Sequence, residues 1–108
     1  MIDWAQVSEM KLEMGTSFGE VVTMFLDEVG EVVARLEGGL NRSTLLADLH
    51  FLKGAALNLG FCEFAELCEA GEKRAGQNRF ENMDLDGLLV CYRASCEVFR
   101  AGIKENAA

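Results

Sequence analysis

The chain has 108 residues, with ten lysines and arginines against eighteen aspartates and glutamates and a formal net charge of -8. A surplus of that size repels nucleic acid and anionic lipid over most of a surface, and a hydrophobic content of 50% is too high for a chain that stays disordered. The length suffices for one core without disulfides or metals, so a single domain spanning 1–108 is expected, and with no proline and a positive mean hydropathy it should be all-α.

Asp3 followed by Gln6 reads as a capping box that opens a short helix from Trp4 to about Met14, with Val7, Met10 and Met14 on one side and Gly15 as its stop. Ser17 and Glu20 read as a second capping box. Phe18, Val22, Phe25, Val29, Val32 and Leu36 then step by fours and threes along a core helix to about Glu37. Gly30 lies inside that helix at a cost of about 1 kcal/mol relative to alanine, and nothing in the sequence gives it a function. Gly38-Gly39 break the chain, and Ser43 is placed to cap a third helix, Thr44 to Leu59, which Gly60 ends.

Phe61, Phe64, Leu67, Cys68 and Gly71 continue almost at once into a fourth helix, ending near Ala75-Gly76, so the third and fourth should be antiparallel neighbours. Gln77 to Met83 form a polar crossing and Asp84 can cap the last helix. There Leu85, Leu89, Tyr92, Cys96, Phe99 and Ile103 repeat the spacing, ahead of a frayed Asn106-Ala107-Ala108 tail. An antiparallel up-down-up-down four-helix bundle with a short extra N-terminal helix across one end satisfies all five segments.

No run of eighteen apolar residues occurs, and Met1-Ile2-Asp3-Trp4 lacks the basic start and apolar stretch of a secretion signal, so no membrane association and a cytoplasmic location are expected. Cys62, Cys68, Cys91 and Cys96 fit neither a CxxC redox motif nor paired zinc ligands, and read as reduced, mostly buried thiols.

The third helix carries the only histidine. At about 100° per residue, Leu45, Leu49, Leu52, Ala56 and Leu59 form one apolar seam, and His50 points roughly 140° away from its centre. Lys53 and Gly54 follow at i+3 and i+4, about 5 to 6 Å along the axis on the same face. Alone, each has a plain reading: a surface histidine, a solvated lysine, a glycine that lets two helices pack closely. Together they put a nucleophile, a cation and a clearing side by side, and Gly54 faces roughly 180° from the seam, where close packing has no use for it.

The string His50-x-Leu52-Lys53-Gly54-Ala55-Ala56-x-x-x-Gly60 resembles the signature of histidine-containing phosphotransfer (HPt) domains, and the helical layout extends the resemblance over most of the chain. The resemblance implies that His50 accepts a phosphoryl group through Nε2 from a receiver's phosphoaspartate and passes it to another receiver. It also implies that Lys53 steadies the phosphoryl oxygens. Response-regulator receivers, a hybrid sensor histidine kinase, or both would be the partners. Neutral imidazole suits the task, since its ordinary pKa of about 6.5 leaves a lone pair free near pH 7.

Leu46 and Leu57 lie about 100° and 120° from the seam on the His50 side and read either as core flanks or as a docking patch with Gly54 as clearance, Phe61 either extending that patch or joining the core. Asn58 reads as a satisfied polar residue, and Glu69, Glu72, Lys73 and Arg74 as a solvated face without chemistry. No glycine-rich nucleotide loop is present, so the chain reads as a carrier rather than an enzyme with its own ATP site. No cofactor is expected on it, Mg²⁺ belonging to the receiver's acidic pocket, and it is expected to act as a monomer. The alternative is a helical docking module that binds a signalling partner through the Leu46–Leu57 face and is never phosphorylated. A metal hydrolase is disfavoured, because one histidine cannot supply the usual multi-histidine site.

Overall fold

The computed structural model of the chain describes residues 1–81 and 83–107, with side chains described up to residue 103. Among the described residues five helices follow in order: α1 (Trp4–Met14), α2 (Phe18–Glu37), α3 (Leu45–Leu59), α4 (Cys62–Gly76) and α5 (Leu85–Ala107), with a 3-10 turn at Gly15–Ser17 between the first two. Among the described residues the only extended pairing is an isolated antiparallel bridge between Ile2 and Phe61. The all-α bundle expected from the periodicity is the fold.

The core is the inner stripe of each helix. Leu45, Leu49, Leu52 and Leu59 are wholly buried and Ala56 nearly so, which is the whole expected seam of α3, and Val22, Val29, Val32, Val33 and Leu36 face it from α2. Burying one leucine or valine of this kind contributes about 1.5 to 3 kcal/mol. Phe64 packs on Tyr92 at 5.3 Å between ring centroids, and Phe61 meets Phe99 edge-on at 5.3 Å. As α4 advances from 61 to 64 its partner on α5 recedes from 99 to 92, so these two helices run antiparallel. Gly60 ends α3 with φ +77°, and a Cβ there would lie 2.6 Å from the Asp3 carbonyl oxygen. Both the left-handed backbone and the close approach call for glycine.

The helix starts depart from the sequence reading at three places. Gln6 N–H does donate to Asp3 Oδ1 at 3.2 Å, but the returning half of that capping box is replaced by a tertiary bond, Asp3 N–H donating to the Gly60 carbonyl at 2.7 Å. Ser17 caps nothing: its backbone is already helical (φ -85°, ψ -4°), whereas a capping residue stands in extended conformation. Ser43 is likewise not the cap of α3. Its N–H and Oγ both donate to Asn41 Oδ1, at 3.1 and 2.7 Å, so Asn41 organises the turn and the helix starts at Leu45. Asp84 does cap α5 as expected, accepting from Gly87 N–H at 2.9 Å.

Met14, expected on the apolar side of α1, is exposed at the outer end of that helix. At the far terminus α5 continues through Asn106 and Ala107 where a frayed tail was expected, because the helical backbone bonds persist; Ala108 and residue 82 of the crossing lie outside the described residues. The short N-terminal helix crosses one end of the bundle. Trp4 stacks on Phe99 with centroids 6.1 Å apart and planes 5° from parallel, in space that a side chain at Gly102 would occupy. No helix among the described residues is long and apolar enough to cross a membrane.

All four cysteines are free: Cys62 is exposed, Cys91 half-buried, and Cys68 and Cys96 buried. Burial is the largest cause pushing the Cys68 thiol up to about 12, so it stays protonated and inert at neutral pH. Maleimide labelling of the native protein, read by peptide mass spectrometry, should modify Cys62 first, Cys91 more slowly, and Cys68 and Cys96 only after denaturation. Early labelling of Cys68 would contradict the packing of α4 against α3.

Candidate functional site

The tight turn at Gly60-Phe61 folds α4 back along α3 and brings residue 50 beside residue 72. His50 stands on the outer face with 72% of its side chain exposed. Its Nδ1 lies 3.1 Å from Glu72 Oε1 and 3.3 Å from Oε2, while Lys53 Nζ donates to Glu72 Oε2 at 3.4 Å. Glu72 thus bridges the imidazole and the ammonium. Its assignment to a solvated face without chemistry is overturned: the α3–α4 register turns this carboxylate inward to 20% exposure, beside the histidine.

A carboxylate only accepts hydrogen bonds. With Glu72 against it, Nδ1 is the nitrogen that carries the proton in the neutral ring, and the lone pair falls on Nε2, which has no protein partner among the described residues. A Cβ built on Gly54 would meet nothing within 4 Å, so the surface one turn from His50 is open. Leu46 and Leu57 are exposed on either side of it, at 46% and 57%. Asn58 Nδ2 donates back to the Gly54 carbonyl at 3.2 Å, a local bond that keeps this polar side chain against its own helix.

Phe61 leaves the expected docking patch. It is 1% exposed, because the chain at the start of α4 pairs with Ile2 and turns the ring inward onto Phe99. His50, Lys53, Gly54, Leu46 and Leu57 are brought together on one face; Phe61 is a core residue. Phe51, which sequence reasoning passed over, is 39% exposed beside His50. Glu72 was also missed, although a signal existed: it lies about as far after the Gly60-Phe61 turn as His50 lies before it, and two helices joined by a tight turn pair at such positions.

A family model described as the Hpt domain matches residues 20–102. The chain belongs to the Hpt domain family. Membership implies a histidine-phosphotransfer role in two-component phosphorelays; domains of this family are carriers rather than enzymes with an ATP site of their own, and the family works with receiver domains and kinases. No curated protein and no solved structure matches the chain. The family match starts within α2, so α1 and its Trp4 contact lie outside it.

The bridging carboxylate gives this HPt domain a testable chemistry. Glu72→Ala should slow phosphoryl transfer about tenfold or more, because the ring loses the partner that fixes its tautomer and orientation. Glu72→Gln, still able to accept from Nδ1–H through its amide oxygen, should retain more activity. Lys53→Ala should slow transfer or shorten the phosphohistidine lifetime. All three should melt within about 1 kcal/mol of wild type, since partly exposed pairs contribute little to stability. Equal rates for the wild type and both Glu72 variants would reduce that residue to an ordinary surface carboxylate.

Proposed function

We propose that His50 accepts a phosphoryl group from the phosphoaspartate of one receiver domain and delivers it to the aspartate of another, with Glu72 as a positioning residue and Lys53 as an electrostatic one. The observation that carries this reading is the Nδ1–Glu72 contact, which leaves an exposed Nε2 lone pair on an open face.

In the forward step Nε2 attacks phosphorus in line with the acyl-phosphate oxygen. The P–N bond forms, the P–O bond to the aspartyl carboxyl breaks, and its electron pair returns to the carboxylate. No proton need leave Nδ1 during attack; the positive charge that develops on the ring is met by Glu72. Lys53, already at the Glu72 carboxylate, is placed near the transferring oxygens, where an ammonium several Å away is favoured by about 1 kcal/mol in water and more once the docked partner excludes solvent. Mg²⁺ is assigned to the receiver's acidic pocket and no cofactor to this chain. Leu46, Leu57 and Gly54 form the docking surface, the glycine giving clearance for the receiver's loops.

The test is incubation with a receiver phosphorylated by a small-molecule donor or its kinase, followed by chemical characterisation of the label on this chain. Acid-labile, base-stable phosphate is the expected result. Absence of label with several active receivers would leave the docking module that is never phosphorylated. ATP with Mg²⁺ and no kinase should give none.

A further inference from the structure

Three large apolar side chains of α3 stand exposed: Leu46, Phe51 and Leu57. Eleven residues separate the two leucines, which is three turns of helix and about 20° more. They therefore lie on one line parallel to the axis, about 16 Å apart, on the α4 side where Glu72 reaches His50. Phe51 lies between them along the axis but about 120° to 140° round the helix from that line. It is on the flank that faces α2, where Asp48, one turn earlier, pairs with Arg35 at 3.0 Å. The crest of α3 runs between the leucine line and the ring, and it is low. Ala47 and Gly54 occupy it, both exposed, and a Cβ on the glycine would meet nothing within 4 Å. A partner can settle onto both flanks at once, with His50 rising beside the crest.

A phosphoryl donor must cover this surface. Attack requires phosphorus within about 3 to 3.5 Å of the attacking nitrogen, and a partner patch of ordinary size, about 800 Å², is a disc of about 16 Å radius. Centred on His50, such a disc takes in Phe51 and both leucines. Two contacts on one line leave a docked body free to rock about that line, and rocking swings the acyl-phosphate oxygen off the axis of attack. A third contact away from the line removes that freedom. Aromatic rings are enriched in interface cores because they offer large, stiff apolar area. In the string His50-x-Leu52-Lys53-Gly54 the ring fills the open position, so the motif itself does not account for it.

We propose that Phe51 is a specificity-determining docking residue, the third anchor that fixes the tilt of an incoming receiver domain over His50. The inference rests on the phosphorelay reading given above and names the partner that the face selects. That partner is a receiver with apolar side chains on two opposite sides of its phosphoaspartate pocket, one side for Leu46 and Leu57 and the other for Phe51. A receiver that is apolar on one side only docks on the leucines, rocks, and transfers slowly.

The test takes the phosphorylated receiver that labels the full chain fastest, together with a slower one, and measures the second-order rate constant of transfer to wild type, Phe51→Leu and Phe51→Ala. With the fast receiver it should fall about tenfold or more in Phe51→Ala and about threefold in Phe51→Leu, which stays apolar but loses the ring and decides the matter should the alanine variant melt below the assay temperature. The slow receiver should lose less, so the gap between the two narrows. Phosphoramidate, a donor too small to span from His50 to Phe51, passes its phosphoryl group to the imidazole with ammonia as the leaving group, and its rates should agree among the three proteins. Equal losses with receiver and phosphoramidate make the ring structural and overturn the proposal, and an unchanged gap between receivers overturns the selection. Wild-type transfer in both variants also overturns it while leaving the phosphorelay reading intact, whereas no label on the wild type from any active receiver overturns both. A dimer in sedimentation that Phe51→Ala abolishes assigns the ring to a second copy of the chain and overturns it too.

Discussion

His50→Gln is expected to abolish phosphoryl acceptance while the protein melts as wild type does. The side chain is 72% exposed and its polar partner among the described residues is Glu72, a partly buried carboxylate that keeps its bond to Lys53, so removing the ring costs a pair worth about 0 to 1 kcal/mol. Function has no such margin. The chain has no second histidine, and glutamine's amide nitrogen has no available lone pair with which to attack phosphorus. Transfer should therefore fall to background, and the measurement is label on the chain after incubation with a phosphorylated receiver, alongside circular dichroism melts. Persistent label in the variant would place the acceptor elsewhere. A large fall in melting temperature would show that the imidazole contributes to packing after all.

Gly54→Glu should also collapse transfer, and by a different route. A Cβ at this position meets nothing, and glutamate favours helix over glycine by several tenths of a kcal/mol, so the variant should be as stable as wild type or slightly more so. Its carboxylate would project from the turn after His50 into the space a receiver occupies, and its charge would oppose both the phosphoryl group and the acidic pocket that delivers it. Gly54→Ala, adding one methyl, should fall between them. Normal melting with a wild-type transfer rate would move the docking site off this face.

Both expectations rest on parts of the site that are legible in the order of residues alone. Position on a single helix is a local property: about 100° per residue fixes which side chains share a face. The buried seam of α3, the outward His50 and the open Gly54 accordingly stand where the spacing puts them, while Leu46 and Leu57, on the flanks of the seam, are shown exposed only by the packed structure. The helix count follows from periodicity and from the glycines at 15, 38, 39, 60 and 76 for the same reason.

What the sequence leaves undecided depends on how one helix sits against another. Capping needs the backbone conformation of the capping residue as well as its type, so the Ser17 and Ser43 readings fail where Asn41 and an uninterrupted turn take over the local bonds. Phe61 is ambiguous in sequence because a residue between two helices has no periodicity of its own; only the Ile2 bridge and the Phe99 ring turn it inward. Glu72 is the consequential case. Its charge and its place on α4 are plain in the sequence, yet its role arises from an approach of 3.1 Å to a ring 22 residues earlier. That approach is set by the turn at Gly60 and the packing of α3 on α4. The sequence by itself determined the five helices and the face that presents His50; the tertiary structure alone decided which nitrogen of His50 is held, because hydrogen bonding between helices depends on register and register is fixed by packing.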